Sequence, residues 1–150
     1  MERLIYTSVA RPDIGPEEID SIVQSSALAN PLRSVTGFLI FDHGCFFQYL
    51  EGPTNELDAL LVKIKRDRRH SGVKVRARSA ARSPLFARWR MQRVRIGGEV
   101  EKDLLARFTA EHETLEFARL LRRFPKEKPD LAIIRPSGDP AARPSFPRPC

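Results

Sequence analysis

Residues 35–50 read VTGFLIFDHGCFFQYL. Val35 to Phe41 and Cys45 to Leu50 are β-branched, aromatic or aliphatic, and Asp42-His43-Gly44 between them supplies turn residues, so the stretch predicts a β-hairpin. Successive side chains on a strand point to opposite faces. On the second strand Phe46, Gln48 and Leu50 therefore face one way and Cys45, Phe47 and Tyr49 the other, and the first strand is largely apolar on both sides as well. Both faces of the sheet must be covered.

Working outward, Arg3 to Val9 alternates apolar and polar residues and predicts a first strand, stopped by Pro12 and Gly15-Pro16. Proline at the first helical position with acids behind it predicts a helix from about Glu17 to Leu28. Its apolar residues Ile19, Ile22 and Val23 have helical spacing, and Asn30-Pro31 is expected to end it, because the residue before proline is pushed out of the α region. After the hairpin, Gly52-Pro53 breaks the strand and Thr54 is the expected cap. Leu57, Leu60, Leu61 and Ile64 then mark a second amphipathic helix ending near Asp67. Val73 to Arg78 alternates apolar and basic residues. A turn around Ser83-Pro84 leads to an expected last strand from Trp89 to Ile96.

The order β-α-β-β-α-β-β contains the split βαβ units of ferredoxin-like folds. Right-handed crossovers put both helices on one face. The other face must be covered by the apolar helical sequence after Gly97-Gly98, namely Leu104, Leu105 and Phe108, then Phe117, Leu120, Leu121 and Phe124. The expected fold class is α+β, a ferredoxin-like βαββαββ sheet with two helices on one face and two short C-terminal helices on the other. Residues 1–97 form the sheet domain and 98–124 a helical cap. Residues 125–150, with Pro129, Pro136, Pro140, Pro144, Pro147 and Pro149, are expected to be mostly extended or disordered, because such sequence buries too little surface to offset its ordering entropy.

A chain of 150 residues, 41% of them hydrophobic, suits one core. No apolar run approaches the ~18–20 residues that span a bilayer. The start, Met1-Glu2-Arg3-Leu4-Ile5-Tyr6, reads as a strand rather than an export signal, so a cytoplasmic protein is expected. Two cysteines, Cys45 and Cys150, give no disulfide framework and no metal-ligand spacing. A net charge of +7 fits attraction to nucleic acid, an acidic partner or an anionic surface.

Signals of catalysis are missing: there is no glycine-rich phosphate loop, no GxSxG and no HExxH, and His43, His70 and His112 lie in separate segments. The chain does not read as an enzyme or a metal binder. The residue that stands out is Gln48, since an amide in an apolar strand must find partners or cost roughly 1–3 kcal/mol. Tyr6 on the first strand is its natural partner, with Ser8 on the same side. Spacing alone leaves open whether this is a satisfied core pair or a working site.

Five motifs taken together resemble, in order and spacing, the BLUF family of flavin photoreceptors: Leu4-Ile5-Tyr6-Thr7-Ser8, Asn30 with Val35-Thr36-Gly37, Phe46-Phe47-Gln48-Tyr49-Leu50-Glu51-Gly52, Arg66-Asp67-Arg68-Arg69-His70, and Phe86-Ala87-Arg88-Trp89-Arg90-Met91. The resemblance covers about residues 1–96. It implies that FAD lies between the two helices with its ring toward the sheet, making residues 1–97 a flavin-binding domain. Ile22 and Ile64 would be apolar walls, and Tyr6, Gln48 and Asn30 the convergent polar groups. Asn30 matches the family asparagine at the flavin O4 and N3 edge. Lys63, Asp67, Arg69 and His70 lie where the family meets the phosphates or the O2 side. Where some relatives have a second polar residue just before the asparagine, this chain has Ala29, which bears on FAD affinity or dark recovery.

The resemblance also implies a mechanism. Tyr6 gives an electron and a proton to the photoexcited flavin and takes them back, leaving Gln48 rotated or tautomerised with a stronger hydrogen bond to flavin O4. Glutamine suits this because its two ends have opposite hydrogen-bond character at similar size. Trp89 and Met91 match the family's Trp-x-Met on the last strand, where they can alternate in position next to Gln48, and from which a shift would pass to the C-terminal helices. No effector domain follows, so a separate downstream partner with an acidic patch, or a homo-oligomer, is the expected route of output. The competing reading is a basic RNA-binding module with Phe46, Phe47 and Tyr49 as stacking platforms, which requires one sheet face to be open.

Overall fold

The computed structural model describes residues 1–125, so the expectation for the proline-rich segment falls almost entirely outside the described residues. Strand β1 spans Glu2–Ala10, helix α1 Pro16–Ala29, strands β2 and β3 Thr36–Asp42 and Cys45–Gly52, helix α2 Thr54–Arg66, and strand β4 His70–Ala80. A short strand β5, Gln92–Val94, precedes helices α3, Glu99–Ala110, and α4, Leu115–Arg123. The sheet order is β4-β1-β3-β2-β5. β1 pairs antiparallel with β3 and β4, β2 antiparallel with β3, and β5 parallel with β2. These are two interleaved βαβ units, the ferredoxin-like arrangement, with one strand added at the edge.

Local chemistry explains the elements. Pro16 opens α1, and Glu17 and Glu18 in its first turn oppose the positive end of the helix dipole; Lys63, Lys65 and Arg66 do the converse at the end of α2. The β2–β3 hairpin turns on His43 (φ 48°) and Gly44 (φ 75°), both left-handed, as a two-residue turn compatible with strand twist requires. Gly37 on β2 is needed for close approach. A Cβ there would lie 2.0 Å from Tyr49 O across the hairpin.

The alternation on β3 divides the core in two. Phe46 and Leu50 join Leu4, Tyr6, Leu39, Ile19, Leu57 and Leu61 beneath α1 and α2. Cys45, Phe47 and Tyr49 join Ile5, Phe38, Phe86, Leu104, Phe108, Phe117 and Leu121 beneath α3 and α4. Phe46, Phe47 and Tyr49 are 3%, 1% and 0% exposed, so none can serve as a platform for stacked bases. No described helix is long and apolar enough to cross a membrane.

The structure corrects four expectations. Asn30 does not end the helical path: it stays right-handed (φ −60°, ψ −41°), and a 3-10 turn carries on to Arg33, stopping at left-handed Ser34. The bias of a residue before proline is overridden by the Asn30 side chain, which is tied to Arg90 O. Thr54 is the first helical residue of α2, with Pro53 at the cap position and no side-chain cap. β4 is longer than Val73 to Arg78, because β1 supplies it with partners from Glu2 to Ala10 whatever its exposed side chains are. The last strand shrinks from Trp89–Ile96 to three residues, and Trp89 and Met91 lie in the segment before it. That segment is held by Gly37 N–H donating to Trp89 O at 2.8 Å rather than by a continuous ladder.

Candidate cofactor site

The cavities on the described residues include two of note. The larger, about 640 Å³, lies at the end of the sheet among Met1, Pro31, Pro53, Pro84 and Arg88, and the carboxylate in its wall, Glu51, is engaged by protein donors. The smaller, about 260 Å³, lies between α1 and α2 over the sheet. Ligand sites are recognised by convergent polar groups in an apolar wall rather than by volume alone, which makes the smaller cavity the candidate.

Tyr6, Asn30 and Gln48 reach this cavity from β1, from the end of α1 and from β3, and Ile22, Ile64 and Lys63 from the two helices. Asp67, Arg69 and His70 line it from the turn before β4 and the start of that strand. All nine residues assigned from the sequence are therefore on one cavity. Ser25, Ser26, Leu39, Phe46 and Leu60 also line it and were not anticipated. Ser25 and Ser26 follow Ile22 by about one helical turn, a spacing that could have flagged them. Ala29 is on the same wall.

The centre is a three-membered chain. Tyr6 and Gln48 are direct neighbours in the β1–β3 ladder, so their side chains share a face. The Tyr6 hydroxyl donates to Gln48 Oε1. Gln48 Nε2 donates in turn to Met91 Sδ at 3.5 Å. Gln48 is 5% exposed, and its strong amide donor is matched to a thioether, a weak acceptor. Burial, and then the charge of Asp67, push the Tyr6 phenol well above its ordinary value, so it keeps its proton at any working pH.

The other polar groups are largely committed. Asn30, 2% exposed, uses Nδ2 on Arg90 O at 3.1 Å and keeps its Oδ1 available. His70 places Nε2 2.6 Å from Ile64 O and Nδ1 2.7 Å from Ser8 Oγ. A carbonyl only accepts, so Nε2 carries the hydrogen, and in the neutral ring Nδ1 accepts from the Ser8 hydroxyl. Arg69 is clamped to Asp67 by its Nε at 2.9 Å and Nη2 at 2.6 Å. Lys63 is exposed and has no acidic partner among the described residues. Trp89 points away from the cavity and packs 4.8 Å from the Phe86 ring and 6.2 Å from Phe38, under α3. Of the two residues expected to alternate beside Gln48, the structure puts Met91 there and Trp89 on the opposite face.

The Arg69 hydrogen bonds hold the Asp67 carboxyl below the usual carboxylate range. A depressed carboxyl stabilises the fold above its unfolded value near ~3.9, and that contribution is lost as pH falls through the folded value. The pair is partly exposed, so its worth is on the order of 0.2–1 kcal/mol. Thermal melts of Asp67→Asn are expected to lie below those of native protein near neutrality by that amount and to converge on them as pH falls below about 4, the variant declining more gently. Parallel curves for the two proteins would show that the pair contributes nothing.

The fold and site define a ferredoxin-like domain with a polar-centred ligand cavity on its helical face. A family model described as sensors of blue-light using FAD, BLUF, matches residues 1–92. The chain belongs to the BLUF family, whose members sense blue light with a flavin. Photoactivated adenylate cyclase subunit beta of Euglena longa is 26% identical over 149 residues, covering 98% of this chain and 17% of that protein. The blue light- and temperature-regulated antirepressor BluF of Escherichia coli is 36% identical over 70 residues, covering 47% of this chain and 17% of the relative. The chain thus spans only 17% of the length of these curated relatives. Among solved structures, BlrP1 BLUF superimposes with a TM-score of 0.70 at 29% identity, over 82% of this chain and 88% of that one. BlsA in its photo-activated state gives 0.65 at 25% identity, over 80% and 94%.

Proposed function

We propose that this chain holds FAD in the cavity between α1 and α2 and converts blue-light absorption into a rearrangement of Gln48 that is passed to a separate partner. The observation that carries the reading is the state of Gln48. Its carbonyl end is committed to Tyr6, while its amide end faces the cavity with only a thioether to receive it. A ligand carbonyl is the better acceptor, and Asn30 Oδ1 offers the complementary site for a ring N–H. At about 260 Å³ the cavity is near the lower end of ligand pockets, ~300–1,000 Å³, so it suits a planar ring and leaves the dinucleotide tail at the rim, where Lys63 is the uncommitted cation.

When bound, FAD supplies blue-light absorption and an excited state able to accept an electron and a proton. Tyr6 would be the donor: its phenol stays protonated in the dark, so it has both an electron and a proton to give. The Tyr6–Gln48 hydrogen bond couples that departure to the glutamine. Once Tyr6 has recovered both particles there would be no net redox change, and the lasting difference would be a rotated or tautomerised Gln48 with a stronger hydrogen bond to flavin O4. Either rearrangement would alter the Gln48 Nε2 contact to Met91 Sδ and with it one of the holds on the segment before β5. Output would pass through α3 and α4 to a separate partner, and the basic charge of the chain favours an acidic patch on it.

The test is the absorption spectrum of the purified protein before and just after blue illumination. Flavin bands that shift reversibly to the red are expected. A protein that neither carries a flavin nor takes up added FAD would end this reading.

A further inference from the structure

Glu51 has no part in the cavity chemistry, yet it is among the most heavily engaged groups in the molecule. It is 1% exposed and lies on the α3–α4 face of β3, three residues beyond Gln48. Its carboxylate accepts from Tyr49 Oη at 2.7 Å, Thr36 Oγ1 at 3.0 Å, and the backbone N–H groups of Leu85 at 2.9 Å and Phe86 at 2.7 Å. Four donors fill the acceptor capacity of a carboxylate. Arg3, opposite Glu51 in the β1–β3 ladder, brings its guanidinium within 4.0 Å and donates Nη2 to Ser83 O at 3.0 Å. A buried charge held this way costs desolvation that simple packing would avoid, so a structural role alone is a poor reason for it.

What Glu51 grips is the start of the segment that ends at Met91. From Phe86 onward the fastenings are Trp89 N–H to Phe86 O, Gly37 N–H to Trp89 O, and Asn30 Nδ2 to Arg90 O. The same turn is touched from α3: Arg107 donates to Leu85 O at 3.3 Å and lies over the Phe86 ring at 5.4 Å. Leu85 and Phe86 are thus where β3, the Trp89–Met91 segment and α3 meet.

Building on the photosensor reading, we propose that Glu51 is the positioning residue of the output step: by fixing Leu85 and Phe86 to β3 it makes a displacement of Met91 pivot about that anchor and move Trp89 against α3. With the anchor cut, the segment absorbs the displacement. The chemistry at Gln48 does not require Glu51, which separates the two steps experimentally.

The experiment uses the full chain with FAD bound and 5-fluorotryptophan in place of its single tryptophan, Trp89, giving one ¹⁹F resonance to compare in dark and light. In the native protein this resonance is expected to move with illumination. In Glu51→Gln, where an amide N–H₂ replaces one acceptor oxygen, the flavin red shift should keep its full amplitude while the ¹⁹F movement falls severalfold. Arg107→Gln, an exposed change on α3 that cuts the Leu85 O contact, should give a smaller loss in the same direction and serves as the test if Glu51→Gln does not fold. A native resonance indifferent to light, or a folded variant with native ¹⁹F movement, overturns the role of Glu51. Absence of any red shift in native protein instead overturns the photosensor reading itself.

Discussion

Gln48→Leu is expected to bind FAD and to lose the light-induced red shift completely. Leucine has a similar volume and suits an apolar strand buried on both sides, so the sheet should survive. The cost is a Tyr6 hydroxyl without its acceptor at a 4% exposed site, about 1–3 kcal/mol, partly offset by burying an aliphatic side chain instead of an amide. What disappears is a side chain that bonds both Tyr6 and Met91 and has two ends of opposite hydrogen-bond character. Light-minus-dark spectra of native and variant proteins at equal flavin content check this. A red shift of native size in Gln48→Leu would show that the rearranging group lies elsewhere in the cavity.

Gly37→Ala should produce the largest loss of stability of any single methyl added to the sheet. The new Cβ would meet Tyr49 O at 2.0 Å, Tyr49 C at 3.0 Å and Leu50 Cα at 3.2 Å, all backbone atoms of the neighbouring strand. Backbone cannot swing aside as a side chain can, so β2 and β3 must part in the centre of the sheet. Overpacking commonly costs 1–3 kcal/mol where side chains give way, and here about 4 kcal/mol or more is expected. At roughly 2–4 °C per kcal/mol for a chain of this size, the melting temperature should fall by about 10 °C or more. A shift of only a few degrees would mean that the hairpin relaxes far more freely than its packing implies.

Much of this was legible in the sequence because β3 carries apolar residues on both faces. Cys45 to Leu50 demanded two covering layers, and the amphipathic spacing of Leu57 to Ile64 and of Leu104 to Leu121 supplied them. Gln48 was legible by the same logic, as a polar group where none should be. Glu51 sits three residues along the same strand and was passed over, although a carboxylate within an apolar run makes a stronger demand for partners than an amide. Two of its four donors, Leu85 N–H and Phe86 N–H, are backbone groups on a distant loop, which no side-chain pattern reveals. Which of Trp89 and Met91 lies beside Gln48 stays open in the sequence for a related reason. Residues two apart on a strand share a face, whereas these two take opposite faces because the segment they occupy is irregular.

The five strands are not equally durable. β1 and β3 are internal and exchange hydrogen bonds on both edges, whereas β5 holds to β2 through three residue pairs, Phe38 with Gln92, Leu39 with Arg93 and Ile40 with Val94. Local opening free energy scales with such pairing and burial, so amide exchange should be fastest at β5 and slowest at β3 within the same sheet. The element that follows Met91 directly is thus the one that can detach while the rest stays folded.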